Sequence, residues 1–185
     1  MARPPLRLKA PLSETALMDL CAGDEVLFDG PLLAARDQAH KRLVEMANKG
    51  QSLPFDPVGQ IVYYVGPTPA PPGRVIGSAG PTTSGRMDAL TAPLLELGLK
   101  GLLGKGRRSA EVKEALLAHK AVYFAAFGGA GAFYGHRVKE ARVLAWPELG
   151  PEALMLLMVE DFPAVVINDL SGGDLYERGP ASWRG

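Results

Sequence analysis

Just after Ser13, whose hydroxyl can cap a helix, the apolar positions Ala16, Leu17, Leu20 and Cys21 recur at helical spacing. The pattern predicts a short helix ended by Gly23, with Cys21 in the core. Asp24 to Asp29 (DEVLFD) reads as a strand closed by Gly30 and Pro31. In LLAARDQAHKRLVEMANKG, Ala39, Leu43, Met46 and Ala47 mark the buried face of a helix stopped by Gly50. Gly59 to Val65 (GQIVYYV) is a β-branched and aromatic central strand, GPTPAPPG a stiff loop, and RVIGS a further strand. A helix is predicted from Met87 to about Leu97, then a short buried strand (LKGLLG) and a glycine-hinged basic loop (GKGRRS). Ser109 caps AEVKEALLAHK, with Val112, Ala115 and Leu116 inward and His119 near its end. AVYFAAF reads as a strand, GGAGAFYG as a glycine-rich turn and HRVKEARVLAW as an edge strand. ALMLLMVEDF, AVVIND and GDLYE follow as strands separated by Pro163 and the turn at Ser171 to Gly173. Residues 178–185 form a loose tail, which leaves 1–177 as one α/β domain with a mixed sheet.

Length and charge narrow the classes. A chain of 185 residues carries one domain with a real core, and 20 basic residues balance 20 acidic ones, so no overall field draws it to nucleic acid or an anionic membrane. Any cationic site is local. A single cysteine excludes an internal disulfide, a cysteine-rich zinc site and an Fe–S cluster ligated by this chain alone, and suits a reducing cytoplasm. The opening MARPPLRLKAPL lacks the apolar core of a signal peptide, and no run reaches the ~18 apolar residues of a membrane helix. The expectation is a soluble, cytoplasmic protein.

The chemistry concentrates in GPTTSGRMD, Gly80 to Asp88, where glycines, hydroxyls and Arg86 precede a helix N-terminus. Such a segment binds anions through backbone N–H groups, the helix dipole and a forked guanidinium. The alternative is that Thr82 or Thr83 only caps the helix while Arg86 is a solvated first-turn residue. Arg36 and His40, four apart, share one side of the next-to-first helix, with Asp37 at its positive end. They line a ligand or form part of a solvated face with Lys41 and Arg42. Lys105, between Gly104 and Gly106, reaches into a cleft or is a turn residue. His119 is a C-terminal dipole partner, His136 lacks metal-ligand partners at a suitable spacing, and GGAGAFYG lacks the strand-to-helix pattern of a nucleotide site.

Several segments in the same order resemble one family. ARDQAHKR, YVGPTPAPPG, GSAGPTTSGRMD, GKGRRS, WPELG and VEDFPAVVINDLSGGDLY are similar to the C-terminal domain, or separate beta subunit, of class I fumarases and tartrate dehydratases, from about Leu12 to Tyr176. The resemblance implies a swivelling β/β/α domain. It implies reversible hydration of fumarate to S-malate, with a 4Fe-4S cluster held by three cysteines of an alpha subunit and its open iron acting as Lewis acid. It gives Arg36, Arg86 and Lys105 the substrate carboxylates and Thr82 the proton, beside an acid of the alpha subunit. His40 is an acid/base group or orients Arg36; Thr83, Ser84 and Asp88 shape the loop. Family fumarases carry asparagine where this chain has Arg107, while the Arg-Ser ending of GKGRRS leans towards fumarase over tartrate dehydratase. A homodimer of alpha-beta pairs is the implied assembly. A stand-alone carboxylate-binding module is the reading from another class, and retention of Thr82 beside Arg86 and Lys105 argues against it.

Overall fold

Strands β2 (Glu25–Ala34), β3 (Ile61–Tyr63), β4 (Gly101–Gly104) and β5 (Val122–Ala125) run parallel, and β3, β4 and β5 are apolar on both faces. That composition marks strands covered on both sides. The computed structural model describes residues 4–182. Strand β1 (Leu6–Lys9) lies parallel along the first half of β2, where β3 takes the second half. The long strand β7 (Leu154–Asn168) runs antiparallel to β2 and also pairs with β5, so β2, β3, β4, β5 and β7 close on themselves. Strand β6 (Val138–Ala145) forms the outer edge on β7. Helices α1 (Glu14–Leu17), α2 (Asp37–Asn48), α3 (Ala92–Glu96), α4 (Ala110–Ala118), α5 (Gly131–Arg137) and α6 (Leu175–Ser182), with 3-10 helices at Ser84–Leu90 and Pro147–Glu152, complete the chain.

Alternation along the parallel strands creates two cores. Ile61, Tyr63, Leu103, Val122 and Phe124 point into a core shared with Phe28, Leu157 and Phe162 between the two sheet layers. Val62, Tyr64, Leu102 and Tyr123 point the other way, against Ala39 and Leu43 of α2, Leu94 and Leu95 of α3, and Val112 and Leu116 of α4. The result is the sheet, sheet and helix layering implied by the resemblance. Phe28 and Phe124 meet edge-on at 4.9 Å and Tyr134 stacks on Phe162 at 4.6 Å, contacts worth about 0.5–1.5 kcal/mol each beyond their burial. Among the described residues no helix is long and apolar enough to cross a membrane.

Several expectations are corrected. Cys21 is exposed, because α1 lasts a single turn and the chain then bends through a Cys21 N–H bond to Asp24, turning Leu20 and Ala22 inward instead. Gly30 and Pro31 do not close β2; the strand continues to Ala34 past a register shift at Gly30, whose φ of 106° a side chain would rarely adopt. RVIGS is not a strand, since the bonds of Gly77 and Ser78 go back to Thr68 within its own loop. The helix predicted from Met87 to Leu97 splits into a 3-10 helix and α3, because Pro93 has no N–H to continue one ladder. GGAGAFYG is not a turn: from Gly131 it forms α5, packed so close that a Cβ on Gly131 would sit 3.0 Å from the Gly80 nitrogen. Pro163 does not divide two strands but sits inside β7 opposite Leu27, and GDLYE enters α6, where Asp174 accepts the Tyr176 N–H at 2.9 Å. Residues 178–182 of the expected tail belong to α6; 183–185, like 1–3 of the opening segment, lie outside the described residues.

Candidate active site

The carboxyl ends of parallel strands are where α/β folds, open or closed, bind ligands, and there the fold gathers the predicted residues. Arg36 follows β2 and Lys105 follows β4. Between them the Thr82 N–H donates to the Tyr64 carbonyl at 2.7 Å, Thr83 bridges Lys105 in parallel, and the Ser84 N–H donates to the Lys105 carbonyl at 2.8 Å. Thr82 and Lys105 are thus fixed side by side on two strand ends. After β5, Gly128 leaves room for the Lys105 side chain, whose Cδ is 3.7 Å from where a Cβ would stand.

Arg36 is the N-cap residue of α2. One guanidinium nitrogen lies 3.2 Å from Glu152 Oε1, while Glu152 Oε2 accepts the Gln38 N–H at 2.9 Å. Arg36 Nε is buried without a hydrogen-bond partner among the described residues. A buried unpaired donor costs about 1–3 kcal/mol, which the neighbouring bond of the same guanidinium to Glu152 helps offset. Gly66 makes the space: a Cβ there would be 2.8 Å from Arg36 Cζ. Arg86 forks onto Asp37, Nε to Oδ1 at 3.1 Å and a terminal nitrogen to Oδ2 at 2.5 Å, and its side chain is 53% exposed. Arg36 and Arg86 therefore flank the first turn of α2 from two sides.

His40 is buried against the Tyr64 ring, with Nδ1 3.1 Å from the Arg36 carbonyl. Burial pushes its pKa down to about 4, partly offset by the Arg36 carbonyl, so the ring is neutral near pH 7. A neutral imidazole bonded this way donates Nδ1–H to the carbonyl and holds the turn that carries Arg36. Neither capping alternative is realised: Thr83 occupies the N-cap without a side-chain bond, and Thr82 Oγ1 has no protein partner among the described residues. Asp88 and Ser84 do shape the loop.

Arg108, which counts in the sequence only as part of the Arg-Ser ending of GKGRRS, has a structural role that sequence reasoning did not assign. Its side chain is fully buried, with Nε on Asp88 Oδ1 at 2.7 Å, one terminal nitrogen on Tyr64 Oη at 3.1 Å and the other on Thr91 Oγ1 at 2.8 Å. Tyr64 and Tyr123 sandwich it at 5.3 and 5.2 Å. Asp88 also accepts the Ser109 N–H at 2.8 Å, so this one ion pair ties GKGRRS to TTSGRMD. The signal available was an arginine pair beside a segment already rich in hydroxyls and one acid. Glu152, too, was passed over, inside WPELGPE. Of the other flagged residues, His119 C-caps α4 and His136 faces the Arg74 guanidinium. No group of three or more His, Cys, Asp or Glu among the described residues is placed to hold a metal ion, and Cys21 precedes β2 at the end of the sheet remote from Lys105. Among the described residues the one cysteine therefore stands without partners that could complete a 4Fe-4S site.

Cations near parallel strand ends, an unengaged hydroxyl and a buried neutral imidazole thus lie on one side of an α/β domain. Residues 3–179 match the family described as Fumarase C-terminus, and the chain belongs to that family. It is 38% identical over 175 residues to fumarate hydratase 2 of Leishmania major, covering 92% of this chain and 31% of the relative. With the aerobic class I fumarate hydratase of Salmonella typhimurium it shares 35% over 175 residues, 92% of this chain and 30% of that one. A protein of Methanocaldococcus jannaschii provisionally named L(+)-tartrate dehydratase subunit beta is 35% identical over 172 residues, 90% of this chain and 88% of the relative. The chain thus spans under a third of the length of the two fumarate hydratases but most of the beta subunit.

Proposed function

We propose that this chain is the beta subunit of a class I fumarate hydratase, adding water reversibly to fumarate to give S-malate together with a cluster-bearing alpha subunit. The observation that carries the reading is that Arg36 and Lys105 follow two strand ends, Arg86 is tied to Asp37 next to Arg36, and the unpartnered Thr82 hydroxyl lies on the segment that bridges Lys105. The similarity to fumarate hydratases along nearly the whole chain supports it. Arg36, Arg86 and Lys105 take the two carboxylates of the dicarboxylate. The proton removed lies alpha to a carboxylate, and these cations, already in place, stabilise the charge that builds on the carboxylate oxygens. Thr82 Oγ takes that proton and passes it to an acid of the alpha subunit, since a lone threonine is a weak base near neutral pH. His40 orients Arg36; its imidazole stays neutral and engaged. Cluster chemistry is assigned to the partner, because this sequence carries a single cysteine where a cluster needs three or more. The same reading puts the enzyme in the cytoplasm, as a homodimer of alpha-beta pairs.

A tartrate dehydratase beta subunit is the second reading, favoured by the relative that this chain spans to 88% of its length. The test purifies the chain alone and with an alpha subunit added anaerobically. Alone it should be colourless, hold no stoichiometric iron and leave fumarate and tartrate unchanged. The complex should hydrate fumarate faster than it dehydrates tartrate. Hydratase activity of the iron-free chain alone would sink the subunit reading, and preference for tartrate would select the second.

A further inference from the structure

Lys105 stands on a loop that has little reason of its own to keep one orientation. Gly106 follows it with φ 86°, the conformation glycine adopts freely, so the peptide between them is easily turned. That peptide is held at both ends. Its carbonyl, on Lys105, accepts the Ser84 N–H at 2.8 Å. Its N–H, on Gly106, donates to the Tyr176 hydroxyl at 3.2 Å. The next carbonyl, on Gly106, accepts the Tyr123 hydroxyl at 2.8 Å, and Tyr123 shares a further bond with Ser84 Oγ at 2.9 Å. Ser84 and Tyr123 belong to the core. Tyr176 instead comes from α6, some 70 residues away in sequence, and Arg107 binds its carbonyl in return at 3.1 Å. Lys113 anchors the same helix through Asp174 at 3.2 Å and Glu177 at 2.7 Å.

We infer that Tyr176, assisted by Arg107, is a positioning residue for Lys105, so that the C-terminal helix α6 sets the aim of a substrate-binding cation. The inference rests on the reading of Lys105 as a carboxylate ligand. It also gives Arg107 a role: the arginine that distinguishes GKGRRS reaches α6, outside the loop, and closes a two-way tie between Gly106 and Tyr176. Tyr176 touches no reacting atom. Its effect passes through the Lys105–Gly106 peptide.

Two readouts test this. In the chain alone, the Gly106 amide should exchange with solvent roughly tenfold faster in Tyr176→Phe than in the parent, followed by NMR, because the phenyl ring keeps the packing and loses only the acceptor. In the complex with an alpha subunit, Tyr176→Phe should lower kcat/KM for fumarate about five- to tenfold, and Arg107→Asn two- to threefold. Neither change should matter further once Lys105→Ala has removed the cation they aim. A general loss of structure would instead lower activity equally in both backgrounds, and that result overturns the inference, as does unchanged exchange at Gly106. Full activity of Lys105→Ala would overturn the functional reading of the site, whereas the exchange measurement reports the tether independently of it.

Discussion

Replacing Thr82 by valine separates proton transfer from structure. The substitution keeps the shape of the side chain and the backbone bond from Thr82 N–H to the Tyr64 carbonyl. It removes a hydroxyl that caps nothing, because the 3-10 helix begins at Ser84 with Thr83 as N-cap and no side-chain bond there. A true cap would contribute about 1 kcal/mol, equivalent to a fall of roughly 2–4 °C in Tm for a domain of this size. With no cap bond to lose, the expected change is within about 0.5 kcal/mol, or under about 2 °C. Proton transfer is worth roughly two to four orders of magnitude, so kcat of the reconstituted enzyme should fall by that factor while KM for fumarate changes little. Thr82→Ser should recover part of the rate, having the hydroxyl but looser positioning. Steady-state kinetics beside a melting curve measures both quantities on one preparation. A valine variant with near-parental kcat would refute the assignment, and one with lowered Tm as well would restore the capping role.

Three further outcomes are expected. Arg36→Met and Arg86→Met should each lower kcat/KM by roughly tenfold or more, since a bond to a charged group is worth about 1.5–3 kcal/mol, with subunit association retained; both staying within a few-fold of the parent would remove them from the site. Arg108→Met should destabilise the fold by about 3–5 kcal/mol in urea unfolding, because Asp88 loses its buried partner; a loss under about 1 kcal/mol would contradict the ion-pair account. For His40 the folded pKa of about 4 lies below the ordinary 6.5, so the unfolded chain takes up a proton that the folded one refuses. Above about pH 6.5 neither state binds it and nothing is contributed; from 6.5 down to about 4, stability should fall, and His40→Gln should remove that part of the slope.

Most of the strand and helix content was legible because both faces of β3, β4 and β5 are apolar and α2 and α4 have clear buried stripes. The errors fall where tertiary contacts outweigh local signals. Gly131 and Gly135 looked like turn residues, yet they are small because α5 lies on the Gly77 to Gly80 backbone, a contact between segments some 50 residues apart. Pro163 looked like a boundary because the missing N–H suggests one, yet β7 carries it through its pairing with β2. Cys21 looked buried because helical spacing was extended past the single turn that forms. The same limit hid Arg108. Charge in a loop reads as solvated unless its partners are known, and Asp88, Tyr64 and Thr91 come from two other segments. Arg36, Arg86 and Lys105 were each visible as cationic candidates in their own motifs, and only the order of the motifs favoured a ligand-binding reading over a solvated one.

The 3-10 geometry of Ser84–Leu90 explains how one short segment serves three directions. At three residues per turn, positions three apart lie in line along the axis. Ser84 and Met87 form one line and are buried, Ser84 bonding Tyr123. Asp88 and Thr91 form the second, and both bond the guanidinium of Arg108. Arg86 stands on the third line, turned to Asp37 at the start of α2. Pro93 enforces the tighter form's end by denying a continuous α ladder, and Arg108 locks it from outside. The buried arginine thus spends its charge on holding the segment, while Arg86 and Lys105 stay more exposed.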